Sequence, residues 1–188
     1  FYFNKNKLNN DLIEFTKIQT NIHEIITDID FLTKSKIGIK DVLIDGDNIL
    51  ITFPLKKKED CYSFSIFRSK FNLDYIKFNK MYETKPCVNR KESNHFGGRI
   101  EVLNENNYVF TTGDYGNGNN SQITENLYGK IIKINKINNQ TEIISFGHRN
   151  PQGLYIDSEK GKILSTEHGP TGGDEINMID LKDNKIKN

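Results

Sequence analysis

The sequence has no excess of charge of either sign, no long apolar run and no cysteine motif, and each absence removes a class of function. Its 188 residues carry 26 Lys plus Arg against 25 Asp plus Glu, a formal net charge of +1. Nothing in that balance favours nucleic acid or an anionic membrane as a partner, and the basic residues read as solvated surface. No stretch approaches the roughly 20 apolar residues that a membrane-spanning helix requires, and no apolar signal segment opens the chain. Cys61 and Cys87 are too far apart for a CxxC motif and have no His neighbour to complete a zinc set. They either pair with each other or stay as two buried thiols. The chain starts at Phe1 and ends in the turn-like stretch Lys182-Asp183-Asn184-Lys185, which leads to the expectation of a fragment or processed product whose export signal has been lost.

What is present is enough length to bury a core as one globular body, and a repeated strand pattern. Asp41 to Asp45, the turn Gly46-Asp47-Asn48 and Ile49 to Phe53 form one apolar pair, followed by Cys61 to Phe67 and Phe78 to Tyr82. Gly98 to Leu103, the turn Asn104 to Asn107 and Tyr108 to Thr112 repeat it, followed after a Gly/Asn loop by Lys130 to Asn135 and Thr141 to Phe146. Gly153 to Asp157, the turn Glu159-Lys160-Gly161, Ile163 to Glu167 and Glu175 to Leu181 begin it a third time. Alternating β-branched and aromatic residues support strands. Units recurring every ~50–60 residues predict radial repetition, an all-β propeller with blades at about 38–90, 95–147 and 150–188, the last incomplete. A sandwich is the structural alternative. Near the N-terminus, Ile22, Ile25, Ile26 and Ile29 follow helical spacing and Asn21 with Glu24 resembles a capping box, so a short helix is expected between Asn21 and Leu32.

Polar residues concentrate in three loops: Asn94 to Arg99, Gly147 to Gly153, and Glu167 to Glu175. Function on a rigid scaffold commonly sits on such loops. His95, followed by Gly97-Gly98, suits a general base on a tightly turning backbone, and equally a hydrogen-bonded loop histidine. Arg149 offers a permanent planar cation and Asn150 a dual donor and acceptor for an oxyanion or quinone oxygen, although Arg149 paired with a carboxylate and His148 in packing fit as well. Glu167, Asp174 and Glu175 among glycines suit a hard cation held by carboxylates and carbonyls, or a plain acidic surface turn. Gly113 to Gly118 is Gly-rich but opens no helix, and reads as a long blade loop without a phosphate role.

The strings His95-Phe96-Gly97-Gly98-Arg99-Ile100, Gly129 to Ile134, Gly147 to Leu154 and Glu167 to Asn177 resemble, in order and spacing, the soluble pyrroloquinoline-quinone-dependent sugar dehydrogenases, the glucose/sorbosone and aldose sugar dehydrogenases. The likeness runs from about Asn94 to Asp180. It implies a six-bladed propeller, of which about three blades are present, binding pyrroloquinoline quinone on its axis. It further implies calcium held by the cofactor and the carbonyls of Gly169 and Pro170, and a second, structural calcium at Asp174 and Glu175. By the same likeness His95 is the base that takes the proton from the sugar's anomeric hydroxyl, Arg149 stabilises charge on the quinone oxygen, and Asn150 holds the cofactor. The implied activity is oxidation of aldose sugars to lactones in the periplasm or outside the cell, with electrons passed to an acceptor. A fragment alone is expected to be inactive. The sequence departs from the family pattern at Ser35-Lys36-Ile37, where a Gln often stands, and at Asn94, where Asp sometimes precedes the base. A different class of function, a non-catalytic propeller binding carbohydrate or protein, is the second reading. A Cys61–Cys87 disulfide would bridge neighbouring strands of the first blade and favour an oxidising compartment.

Overall fold

The computed structural model describes residues 17–26, 37–59, 61–89 and 95–182. Three antiparallel sheets follow one another along the chain, each an up-and-down meander. The first joins β2 (Asp41–Asp45), β3 (Asn48–Lys58), β4 (Cys61–Lys70) and β6 (Asn79–Glu83) in that order, with β7 (Val88–Asn89) also pairing with β4. The second runs β8 (Gly97–Asn104), β9 (Asn107–Thr112), β10 (Lys130–Asn135) and β11 (Thr141–Phe146). The third comprises β12 (Pro151–Asp157), β13 (Lys162–Glu167) and β14 (Glu175–Asp180). These are successive blades of a β-propeller, as the repeat predicts. Four small elements stand apart: β1 (Gln19–Thr20), paired in parallel with β5 (Tyr75–Ile76), and two one-turn helices, α1 (Ile22–Ile25) and α2 (Asn119–Gln122), the second starting directly after Gly118, contrary to the expectation that this Gly-rich stretch opens no helix.

The stacking follows from the two-residue period of a strand, which sends alternate side chains to opposite faces. On the second sheet, Tyr108, Phe110, Ile132 and Ile134 meet Leu50, Phe64 and Ile66 of the first, whereas Val109 and Ile131 meet Ile163 and Ile179 of the third. Both faces of the two central strands are therefore buried, and each has a short apolar run at its middle, Tyr108-Val109-Phe110 and Ile131-Ile132. Phe64 and Phe110 stack with ring centroids 5.0 Å apart, a contact worth about 0.5–1.5 kcal/mol beyond the area it buries. Polar ties cross the same interface: Asp45 accepts from the Tyr108 hydroxyl and from the Lys136 ammonium, each at 2.8 Å.

The N-terminal helix departs from expectation. It is a single turn, and the Asn21 side chain does not cap it. Instead the Asn21 amide donates to the Phe78 carbonyl at 3.1 Å and accepts from the Phe78 N–H at 2.8 Å, which docks the segment on the first sheet. Residues 27–32 of the expected helix lie outside the described residues. Cys61 and Cys87 form a disulfide with their Cα atoms 5.6 Å apart, tying β4 to the segment that enters β7.

Candidate functional site

Where β8 begins and β9 ends, the two chains run close enough to bring His95 and Asp114 together. Gly113 N–H donates to the Phe96 carbonyl and Tyr115 N–H to the His95 carbonyl, both at 2.9 Å. Glycine is required for that approach. Gly97 has φ of +60°, and a Cβ there would lie 2.9 Å from the backbone of Thr112 and Gly113; a Cβ at Gly113 would lie 2.3 Å from the His95 carbonyl oxygen. His95 and Asp114 are both buried. The imidazole Nδ1 lies 3.0 Å from Asp114 Oδ1, which also accepts the Gly116 N–H at 2.7 Å. A carboxylate at Nδ1 fixes the tautomer with its proton there and the lone pair on Nε2.

The second loop is tied to the first at two points. Asp114 N–H donates to the Arg149 carbonyl at 2.9 Å, and Gly97 N–H donates to Asn150 Oδ1 at 3.1 Å. The latter bond sets the carboxamide orientation, so that Asn150 presents its NH2 group as a donor. Thr111 adds a further tie, accepting the N–H groups of Gly98 and Arg99 at 3.1 and 3.0 Å and donating to the Pro151 carbonyl at 2.9 Å. His95, Arg149 and Asn150 thus belong to one hydrogen-bonded junction between the second and third sheets.

The third loop meets the second through the Arg149 guanidinium, whose Nη1 donates to the carbonyls of His168 at 2.9 Å and Gly169 at 3.1 Å. Glu167 turns inward, where its carboxylate accepts the Arg149 N–H at 3.1 Å and an Asn177 Nδ2–H at 3.1 Å and lies 3.4 Å from His148 Nδ1. Burial raises the Glu167 pKa, but the His148 bond and charge and the backbone N–H groups of Arg149 and Asn150 outweigh it and hold the group below the usual carboxylate range. His148 also engages Ser145 Oγ through Nε2 at 2.8 Å.

Asp174 and Glu175 are exposed. Asp174 lies 3.2 Å from His168 Nδ1 and accepts the Gly169 N–H at 3.2 Å, Glu175 accepts from Asn177 at 3.3 Å, and the Pro170 carbonyl takes the Gly173 N–H at 3.2 Å. Among the described residues no three His, Cys, Asp or Glu side chains converge as a ligand group. A cleft of about 380 Å³ beside them is lined by Gln152, Thr166, Glu167, His168, Asp174, Glu175 and Ile176; its wall includes neither His95 nor Arg149. Asn94, Ser35 and Lys36 lie outside the described residues.

Sequence reasoning missed Asp114, which sat in a stretch read by its glycines as a plain loop, and mistook the direction of Glu167. The two share one regularity of spacing. Each follows a buried histidine by 19 residues, Asp114 after His95 and Glu167 after His148, one blade apart.

Comparison with known proteins agrees with this architecture. A family model described as Glucose / Sorbosone dehydrogenase matches residues 11–184. The chain is 34% identical over 99 residues to the aldose sugar dehydrogenase YliI of Escherichia coli, a match covering 45% of this chain and 26% of that protein. It is 48% identical over 56 residues to quinoprotein glucose dehydrogenase B of Acinetobacter calcoaceticus, covering 29% and 12%. The solved PQQ-bound form of aldose sugar dehydrogenase from Streptomyces coelicolor superposes with a TM-score of 0.58 at 23% identity, covering 77% of this chain and 44% of that one. The chain therefore spans less than half the length of these relatives.

Proposed function

The chain belongs to the glucose/sorbosone dehydrogenase family, and from that membership we propose that the protein oxidises aldose sugars to lactones, with pyrroloquinoline quinone as cofactor and calcium beside it. The relatives' names support the class of reaction and the quinone, since one is a quinoprotein glucose dehydrogenase and another is PQQ-bound. The observation that carries the reading is the junction itself: an imidazole oriented by a buried carboxylate, hydrogen-bonded through its own loop to a guanidinium-bearing and carboxamide-bearing loop.

The donor set suits the proposed groups. Quinone and carboxylate oxygens are acceptors, and Arg149 and the Asn150 NH2 are donors with one permanent positive charge between them. Calcium takes hard oxygen ligands, and the adjacent carbonyls of Gly169 and Pro170 are of that kind. Asp174 and Glu175 would hold a second, structural calcium. When bound, the quinone supplies the hydride acceptor, and calcium polarises its carbonyl.

In this reading His95 takes the proton of the anomeric hydroxyl at Nε2 while Asp114 keeps the ring in the tautomer that can do so. Asp114 also stabilises the imidazolium that results. Arg149 offers positive charge where negative charge develops, and Asn150 orients the acceptor oxygen with its NH2. The Cys61–Cys87 disulfide supports a periplasmic or secreted location, with electrons leaving to an external acceptor.

The test is reconstitution of the intact protein with quinone and calcium, followed by dye reduction with a panel of aldoses. Folded protein that reduces no dye with any of them overturns the reading. His95→Ala is expected to lower turnover by about 10²–10⁴-fold; unchanged turnover removes His95 from the chemistry.

A further inference from the structure

Two buried histidine–carboxylate pairs with the same spacing in sequence sit at the same junction. In the pair His148–Glu167, both imidazole nitrogens are engaged within the protein, Nδ1 with Glu167 and Nε2 with Ser145, so the ring serves to hold its neighbours. The carboxylate does the same for the backbone. Of the three acidic residues in the third loop, Glu167 alone is buried, at 9% exposure, and it accepts the N–H of Arg149, the first residue of the 149–150 loop, at 3.1 Å. A charge-assisted bond to the Arg149 N–H fixes the backbone where this loop begins, and this is the backbone that aims the Arg149 and Asn150 side chains.

We propose that Glu167 is a positioning residue that sets both cofactor-holding side chains of the 149–150 loop and, through that loop, their placement relative to His95. The relay is continuous. From Glu167 the bonds pass to Arg149 N–H, from the Arg149 carbonyl to Asp114 N–H, and from Asn150 Oδ1 to Gly97 N–H, two residues from the imidazole. On its other side the carboxylate is anchored to β14 by Asn177. Its Arg149 and Asn177 partners act as donors, one to each oxygen, so charge-assisted acceptance from both oxygens is what the site demands. A glutamine of the same size turns its NH2 toward a donor.

This inference rests on the quinone reading above, and the experiment separates the two. Quinone affinity of the intact protein is measured by equilibrium titration in calcium, for the wild type, Glu167→Gln and Glu167→Ala, beside the melting temperature of each without quinone. Both variants are expected to bind quinone about 10–100-fold more weakly, as loss of a supporting hydrogen-bond partner does elsewhere. At saturating quinone, kcat should fall while KM for the aldose stays near the wild-type value. Should Glu167→Ala fail to fold, Glu167→Gln carries the test. Asn177→Ala, which frees the carboxylate from β14, provides a second one with a weaker loss expected. Folded Glu167→Gln that binds quinone as tightly as a binding wild type overturns the inference alone, whereas a wild type that binds no quinone overturns it together with the reading beneath it.

Discussion

At the His95–Asp114 pair, the acceptor oxygen lies 3.0 Å from Nδ1, and exchanging the carboxylate for a carboxamide keeps its size while allowing the imidazole the opposite tautomer. Asp114→Asn is therefore expected to lower turnover of the reconstituted protein by about 10²–10⁴-fold at nearly unchanged melting temperature. Turnover within a factor of two of wild type would exclude Asp114 from the chemistry. The contrast between these two residues marks what a sequence exposes at this scale. His95, Arg149 and Asn150 stand out because glycines and prolines beside them announce turns that must present something. Asp114 does not, because its role depends on where two strands end relative to each other, and that register is set by pairs such as Ile100 with Phe110 far from the histidine. Glu167 was legible as a carboxylate in a polar loop, but composition carries no information on whether a side chain faces water or backbone amides.

Among the elements, the strands are legible because apolar alternation and apolar runs have few other uses. Their limits shift where pairing overrides local chemistry. β3 runs on to Lys58 through Pro54 because β4 pairs with it over that whole length, whereas β2 begins only at Asp41, opposite Thr52. Beyond that point β3 has a neighbour on one side only, and a proline can sit where no outward N–H is needed. The reading of Asn21 as a cap failed for a related reason: a side chain able to cap was recruited by the Phe78 backbone 57 residues away. The join between the first two sheets carries a pH dependence. The Lys136 bond, against some burial, and the Tyr108 hydroxyl hold the Asp45 carboxyl below its ordinary value. A carboxyl with a depressed folded pKa contributes stability that is complete above its unfolded value near 4 and is lost as pH falls through the folded one. Urea unfolding between pH 7 and pH 2.5 should show stability falling at the acid end, and Asp45→Asn should flatten that fall while lowering stability at pH 7. An acid limb identical in both proteins would mean that Asp45 does not couple the sheets.

For the whole molecule, the stacking rule that buries both faces of the second sheet leaves the outward face of the third uncovered. Tyr155, Leu164 and Met178 are cross-strand partners on that face, with Ile176 beside them; Tyr155, Met178 and Ile176 are 60%, 66% and 79% exposed. Partners in register share a face, so these side chains form one apolar patch instead of scattered surface residues. Their strand neighbours Ile163 and Ile179 point the other way into the core. The two sets should thus respond oppositely to substitution. In the 188-residue chain, Tyr155→Thr, Ile176→Thr and Met178→Thr together keep β-branched residues in the strands. They are expected to reduce fluorescence of a hydrophobic-patch dye several-fold while changing stability by no more than about 0.5 kcal/mol each. Ile179→Thr, which places a hydroxyl in the buried interface, should cost about 1–3 kcal/mol. Dye binding that persists through the triple substitution, or a triple variant destabilised as strongly as Ile179→Thr, would mean that this face is packed in solution and that the third sheet is covered by something already within the chain.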